Sequence, residues 1–146
     1  MIRPLGAGDL AGLRWLDDGT RTGLAAALGA GDGCALVLVA AAGDGVPVGV
    51  LAVDLPPWRD RTDPWVWVVA VEPGSRGRGV GAALLGEAHR RLATAGHAAV
   101  ELSVDDGNAR AAALYRRLGY RVVGRGADPG PAGPEPWTRM RRPLDR

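Results

Sequence analysis

The chain has 146 residues, of which 47% are hydrophobic and 23% are charged, a balance typical of a soluble, globular, single-domain protein. Its formal net charge of +2 is too small to favour nucleic-acid binding, and no apolar run approaches the roughly 18 residues of a membrane span. The lone cysteine, Cys34, excludes a disulfide framework. We expect one cytoplasmic domain over residues 1–146, and the Arg-rich, Lys-free composition is typical of a GC-rich bacterial genome.

The N-terminal third of the chain predicts a strand, two helices and a hairpin. Gly8-Asp9 supplies an N-cap for the first helix, and glycines end the second. Two apolar runs flank the turn sequence Ala42-Gly43-Asp44-Gly45, which predicts an antiparallel hairpin. The predicted elements are a strand at Met1–Leu5, a helix that follows the Gly8-Asp9 N-cap and runs through Leu16, a helix at Arg21–Leu28, and strands at Cys34–Ala41 and Val46–Asp54.

The remainder alternates strands with helices. The proline-rich, charged segment Leu55–Pro64 predicts a surface loop over the site. Apolar residues at three- to four-residue steps from Val80 to Ala95 predict the buried face of a helix. The other predicted elements are strands at Trp65–Val71, Ala98–Val104, Tyr120–Gly124 and Glu135–Arg142, a helix at Ala109–Leu118, and a Gly/Pro loop at Arg125–Pro134.

A glycine-rich loop joins the fourth predicted strand to the third predicted helix. The first amides of a helix have no intrahelical partner and attract anions. Gly77, Gly79 and Gly81 remove the Cβ atoms that would hold a ligand away from those amides, and Arg76 and Arg78 add forked positive charge. This pattern indicates a pyrophosphate ligand, the alternative being an exposed turn with arginines placed for solubility.

The spacing of the loop discriminates among phosphate-binding motifs. A mononucleotide P-loop requires Gly-Lys-Ser/Thr, and the chain has no Lys. In a dinucleotide fingerprint the third glycine would fall at Ala82. The pattern that fits is Arg-x-x-Gly-x-Gly, formed by Arg76, Gly79 and Gly81 and preceded by Val71-Glu72-Pro73.

A second motif follows the next predicted strand. The segment NARAAALYRRLGY fits Asn-x-x-Ala-x-x-Leu-Tyr-x-x-x-Gly-Phe/Tyr at every place, with Asn108, Ala111, Leu114, Tyr115, Gly119 and Tyr120. Together, in this order, the two motifs resemble those of the GNAT acetyltransferase superfamily over essentially the whole chain. The resemblance implies an α/β fold with a mixed, mostly antiparallel, twisted sheet of about six or seven strands, in the order βααβββαβαββ. The sheet would be splayed between its fourth and fifth strands, with helices on both faces.

The resemblance also implies a ligand, coenzyme A, and residues that hold it. The backbone of Val69, Ala70 and Val71 would pair with the pantetheine arm like an added strand, and Asn108 would hydrogen-bond to the same arm. The amides of the loop would bind the pyrophosphate, and the residues concerned are Arg76, Gly77, Arg78, Gly79, Val80, Gly81 and Ala82.

Two residues are candidates for acid–base chemistry. The resemblance places Tyr115 beside the thioester sulfur, where a phenol of ordinary pKa near 10 can protonate a departing thiolate; the alternative is a core aromatic. The central strand lacks the Glu that many superfamily members use as a base. Glu101, in an apolar stretch of the next strand, is the first substitute because desolvation makes a carboxylate more basic, and the alternative is an exposed strand carboxylate. Asp54, Asp63, Asp105 and water relays also stay open.

The function implied by the resemblance is acyl transfer from acetyl-CoA to a primary amine, by direct attack in a ternary complex. The rival is a CoA-binding module that has lost catalysis, which the missing central-strand Glu favours. Expected partners are a small-molecule or peptide amine, with no nucleic acid and no membrane, and a homodimer stays open. We expect no metal, because His89 and His97 have no ligand cluster at suitable spacing.

Overall fold

A single twisted sheet forms the centre of the molecule. The computed structural model describes residues 1–31 and 33–145, residue 59 by its backbone alone. The sheet has seven strands in the order β1-β2-β3-β4-β5-β7-β6. The strands are β1 Ile2–Pro4, β2 Ala35–Ala41, β3 Pro47–Asp54, β4 Trp65–Val71, β5 Ala99–Asp105, β6 Arg121–Gly130 and β7 Gly133–Pro143, and the helices are α1 Asp18–Ala30, α2 Val80–Thr94 and α3 Ala109–Arg117.

The pairing between β4 and β5 differs from every other pairing in this sheet, because it is parallel and short. Within the described residues, Trp65 pairs with Glu101 and Val66 with Leu102, and the ladder then stops. On its other side, β4 has a register irregularity against β3 at the step from Val66 to Val68. Such a bulge increases local twist. Beyond these pairs the sheet is open between β4 and β5, as predicted.

Each sheet face carries its own hydrophobic core. We call one the α2 face: it includes Leu51, Val66 and Leu102, and residues of α2 and α3 pack against it. The opposite one, the α1 face, includes Val50 and Ala52 beneath α1. Burial of these apolar side chains supplies most of the driving force for folding. Helices therefore cover both faces, which confirms the predicted fold class.

The start of α2 approaches the sheet closely at one glycine. A Cβ on Gly49 of β3 would lie 2.7 Å from Val80 Cγ1 and 3.0 Å from Leu84 Cδ1. Only a residue without a side chain leaves room for α2 at this distance. Gly49 thus places the N-terminus of α2 beside the end of β4.

The first predicted helix, with its N-cap at Gly8-Asp9 and its end at Leu16, is wrong. The structure has a 3₁₀ helix at Ala7–Gly12 instead, with Gly6 as its N-cap. Asp9 lies inside this helix, where its carboxylate accepts hydrogen bonds from the Gly6 amide and Arg3 Nη1, both at 2.7 Å. Gly8 and Gly12 lower helix propensity, which accounts for the short element.

The predicted loop Arg125–Pro134 is also wrong, because β6 and β7 continue through it as a long hairpin that pairs as far as Gly130 and Gly133. Trp137 packs so closely over Gly126 that a Cβ there would overlap the indole ring. Its Nε1 donates to Asp128 Oδ1 at 3.1 Å. A strand glycine of this kind marks a close approach. The segment lacks the alternating apolar and polar residues typical of a strand, and the contacts across the hairpin stabilise it instead.

In the part of the chain that the structure describes, no helix combines the length and apolar character that crossing a bilayer requires.

Candidate active site

The loop between β4 and α2 presents backbone amides to one end of a cleft. Gly77 has φ +80° and Gly79 has φ +77°, a left-handed conformation that favours glycine. Gly79 is the N-cap of α2, and the first intrahelical hydrogen bond runs from the Ala83 amide to the Gly79 carbonyl at 3.0 Å. The amides that precede Ala83 have no partner within the helix. They carry the positive end of the α2 dipole.

This cleft lies beside the end of β4 that does not pair with β5, between the glycine loop and α3, and its volume is about 580 Å³. It gathers most of the predicted ligand-binding residues. Those that line it are Val69, Ala70, Val71, Arg76, Gly77, Gly79, Val80, Gly81, Ala82, Asn108 and Tyr115.

Gly81 forms part of the cleft wall. A Cβ on Gly81 would lie 3.8 Å from Val69 Cγ1 and 3.9 Å from Leu114 Cδ2, both ordinary van der Waals distances. The protein itself thus has room for a methyl group at this position. The same methyl would occupy space between α2, α3 and β4 that is now available to a ligand.

Asn108 and Arg76 both make hydrogen bonds within the protein. Asn108 caps α3, because its Oδ1 accepts from the Ala111 amide at 3.1 Å. This leaves the NH₂ group of the same side chain as a donor. Arg76 Nε donates to the Val71 carbonyl at 3.2 Å, which ties the loop to the end of β4.

Tyr115 is the titratable side chain on the inner wall of the cleft. It packs against the core of the α2 face, and its ring centroid lies 5.7 Å from that of Tyr120. Burial raises the pKa of the Tyr115 hydroxyl, because desolvation disfavours the phenolate. The hydroxyl therefore stays protonated at neutral pH and can serve as a proton donor.

Two predicted site residues lie outside this cleft. Arg78 lines a separate surface depression together with Met1 and Glu87. Glu101 lines a small polar depression of about 160 Å³ with Asp63 and Trp65. The cleft lining contains neither side chain.

Glu101 belongs to the opposite sheet face from Tyr115. Its neighbours on β5, Val100 and Leu102, point into the core of the α2 face, and alternation along a strand directs Glu101 the other way. Its carboxylate contacts Arg141 Nη1 at 2.7 Å and Arg139 Nε at 3.5 Å. Any contact between the cleft and Glu101 must therefore pass through the gap between β4 and β5.

The other three carboxylates that the sequence left open as bases have different environments in the structure. Asp63 contacts Arg141 Nη1 at 2.6 Å, Asp54 is buried, and Asp105 is exposed at the end of β5. In the described residues no group of three or more His, Cys, Asp or Glu side chains could hold a metal ion.

Several cleft residues were not predicted as ligand-binding residues. Trp15 and Leu16 come from the segment before α1, and the Nε1 of Trp15 is buried and has no hydrogen-bond partner among the described residues. Their contribution depends on tertiary packing, which no local pattern signals. The remaining unpredicted lining residues are Ser75, Arg110, Ala111, Leu114 and Arg117.

The lining also has a pronounced charge bias. Three arginines line the cleft, Arg76, Arg110 and Arg117, and no Asp or Glu lines it in the portion of the chain described. An opening without acids, bordered by guanidinium groups and free helical amides, favours an anionic ligand. The open sheet edge beside it can accept an extended chain.

Fold and cleft together define an α/β protein with a cleft suited to an anionic ligand at the start of α2. The model of the acetyltransferase (GNAT) family matches residues 10–120. The chain belongs to this family, which confirms the resemblance seen in its two motifs.

Comparisons with individual proteins agree with this membership. A segment of 78 residues is 44% identical to a mycothiol acetyltransferase of Parafrankia sp. and covers 53% of this chain. The same segment covers 24% of that relative, and a mycothiol acetyltransferase of Beutenbergia cavernae is covered to 26%. The chain thus matches about a quarter of the length of these relatives.

Solved structures share the fold over the full chain. A ribosomal-protein-S18-alanine N-acetyltransferase from Escherichia coli superposes with a TM-score of 0.82 at 21% identity, covering 100% of this chain and 94% of that one. A phosphinothricin acetyltransferase from Sinorhizobium meliloti, solved in complex with AcCoA, gives 0.77 at 20% identity, with coverages of 99% and 88%.

Proposed function

We propose that this protein transfers the acyl group of acetyl-CoA to a primary amine, by direct attack of the amine in a ternary complex. The observation that carries the proposal is the cleft, whose lining includes helical amides without a partner in α2, the open edge of β4 and a protonated tyrosine. Bound acetyl-CoA would supply an acyl group activated as a thioester.

The cleft residues fit this ligand. The amides from Arg76 to Ala82 suit a pyrophosphate, because Gly77 and Gly79 adopt positive φ and their Cα atoms have no side chain to block the approach. The backbone of Val69 to Val71 borders the gap between β4 and β5, where it can pair with the amides of a pantetheine arm. The NH₂ group of Asn108 can donate to the same arm.

Tyr115 is the proposed general acid. Because burial raises the pKa of its hydroxyl, Tyr115 Oη holds its proton at neutral pH. It can give that proton to a departing thiolate, whose ordinary pKa is about 8.5. The acid is thus in its donating form over the whole physiological range.

The acceptor amine must lose a proton before it attacks. A lysine-like amine has an ordinary pKa of about 10.4, so deprotonation at pH 7 costs roughly 5 kcal/mol. We propose Glu101 for this step, because it lies on the face opposite Tyr115, one residue before Leu102, where the β4–β5 ladder ends. An amine approaching from the α1 face would then lie between base and acid.

The proposed acceptor is a small-molecule or peptide amine. The relatives bear names that include mycothiol and ribosomal-protein alanine, two chemically different acceptors. Arg139 and Arg141 pair with Glu101 and Asp63. Because these opposite charges offset each other, they do not select between a cationic and an anionic acceptor. We also propose a cytoplasmic location.

The decisive experiment measures both binding and turnover. Calorimetry with acetyl-CoA should give a saturable heat, and thiol release from acetyl-CoA should rise when one member of an amine panel is added. The panel should hold polyamines, amino sugars, amino acids and peptides with free N-termini. Binding without turnover on any amine would favour a CoA-binding module, and an absence of binding would refute the proposal.

A further inference from the structure

Two arginines of α3 lie on the same side of the helix. Arg110 and Arg117 are seven residues apart, so at 3.6 residues per turn they are about 20° apart around the axis and about 10 Å apart along it. Tyr115 is about 140° or more from both by the same measure. Since all three line the cleft, the arginines border its outer side and Tyr115 its inner side.

In the part of the chain that the structure describes, neither arginine is neutralised by a carboxylate, although Arg117, in the last turn of α3, is favoured by the helix dipole. Both are exposed, and within the described residues neither makes an ion pair with a carboxylate. Arg110 lies in the first turn of α3, where the helix dipole disfavours a positive charge. Its position therefore does not stabilise the helix.

The proposed ligand has one phosphate more than the glycine loop explains. Acetyl-CoA carries a pyrophosphate and a separate phosphate on the 3′ oxygen of its ribose. The amides of the loop, from Arg76 to Ala82, suit the pyrophosphate, while the second phosphate needs a cationic partner on the side away from the thioester. Arg110 and Arg117 border that side of the cleft, and a guanidinium binds phosphate oxygens through forked hydrogen bonds.

We propose that Arg110 and Arg117 bind the ribose 3′-phosphate and make the protein selective for acetyl-CoA over its 3′-dephospho form. The inference rests on the proposed function, because it assumes that acetyl-CoA binds in this cleft. It predicts that the charge of α3, as well as the loop, determines affinity for the donor.

Calorimetry with acetyl-CoA and with 3′-dephospho-acetyl-CoA tests the inference without any acceptor. The wild-type protein should bind acetyl-CoA at least tenfold more tightly than the dephospho form. Arg110→Ala and Arg117→Ala should each weaken acetyl-CoA binding by about tenfold, as expected for loss of a charge-assisted hydrogen bond. Both variants should bind the dephospho form as the wild type does.

Arg116→Ala is the matched control. Arg116 is also exposed, lies beside Arg117 in the same last turn of α3, and is absent from the cleft lining. This variant should retain the wild-type preference, and circular dichroism should show that all three variants fold.

Three results would overturn the inference. One is equal affinity of the wild-type protein for the two donors. Another is a variant that loses affinity for both donors equally, because its arginine would then contact the pyrophosphate. The third is an Arg116→Ala variant that loses as much preference as the other two. If acetyl-CoA does not bind at all, the proposed function fails first and the inference with it.

Discussion

At the scale of single residues, Tyr115 connects the cleft with the proposed chemistry. Tyr115→Phe removes the proton donor and leaves the ring in place, so turnover should fall by about 10²-fold while the Kd for acetyl-CoA changes little. Steady-state kinetics and calorimetry measure the two effects separately. Tyr120→Phe is the control, because the Tyr120 hydroxyl bonds to His89 at 2.7 Å in the core and is absent from the cleft lining. An active Tyr115→Phe variant would make Tyr115 a packing residue.

Glu101 is the proposed general base. If Glu101 accepts the proton of the amine, Glu101→Gln should lower kcat by about 10²-fold. Asp63→Asn separates this role from an effect on Arg141, since Arg141 contacts both carboxylates. Equal losses in the two variants would mean that Glu101 acts by positioning Arg141.

At the scale of elements, α2 contains two glycines whose replacement should affect stability alike and ligand binding differently. Gly81→Ala and Gly86→Ala should each raise the free energy of unfolding by about 0.5–1 kcal/mol, because alanine favours a helix. No atom lies within 4 Å of a Cβ on Gly86, whereas a Cβ on Gly81 faces Val69 and Leu114 across the cleft. Gly81→Ala alone should weaken acetyl-CoA binding, by tenfold or more.

Urea denaturation and calorimetry on the same two proteins test this pair. A Gly81→Ala variant that is both more stable and normal in affinity would show that the ligand does not pass between α2 and α3. A less stable Gly81→Ala variant would contradict the van der Waals distances at that position.

The elements that the sequence predicted well are those with a strong local pattern. Strand Trp65–Val71 matches β4 residue for residue, because seven apolar residues end at Glu72-Pro73. The Gly/Pro-rich segment of the hairpin was missed because its pairing depends on Trp137 packing over Gly126. Arg110 and Arg117 were not predicted as cleft residues for a related reason. The sequence pattern of α3 identifies the apolar face of the helix, but only tertiary packing shows which of its polar residues border the cleft.

At the scale of the whole molecule, the buried His89 links stability to pH. His89 on α2 is 7% exposed and hydrogen-bonds to the Tyr120 hydroxyl. Burial, and the charge of Arg142, lower its pKa from the ordinary 6.5 to about 4. Between these two pH values the unfolded chain binds a proton at His89 that the folded protein does not. The contribution of His89 to the free energy of unfolding is therefore fully present above pH 6.5 and declines as the pH falls toward 4.

This difference amounts to about 3 kcal/mol of the free energy of unfolding. His89→Gln retains an amide that can bond to Tyr120 but does not titrate, so its stability should depend less on pH over this range. Urea denaturation at several pH values between 7 and 4 measures both slopes. If the two proteins lost stability in parallel, other groups would account for the acid sensitivity.

The short parallel ladder between β4 and β5 also has a mechanical consequence. It joins a four-stranded part of the sheet, β1 to β4, to a three-stranded part, β5 to β7, through the pairs Trp65–Glu101 and Val66–Leu102. Rotation of one part against the other about this joint widens or narrows the opening. Substitutions that change the packing far from the loop, in either part of the sheet, should therefore change the affinity of the cleft for its ligand.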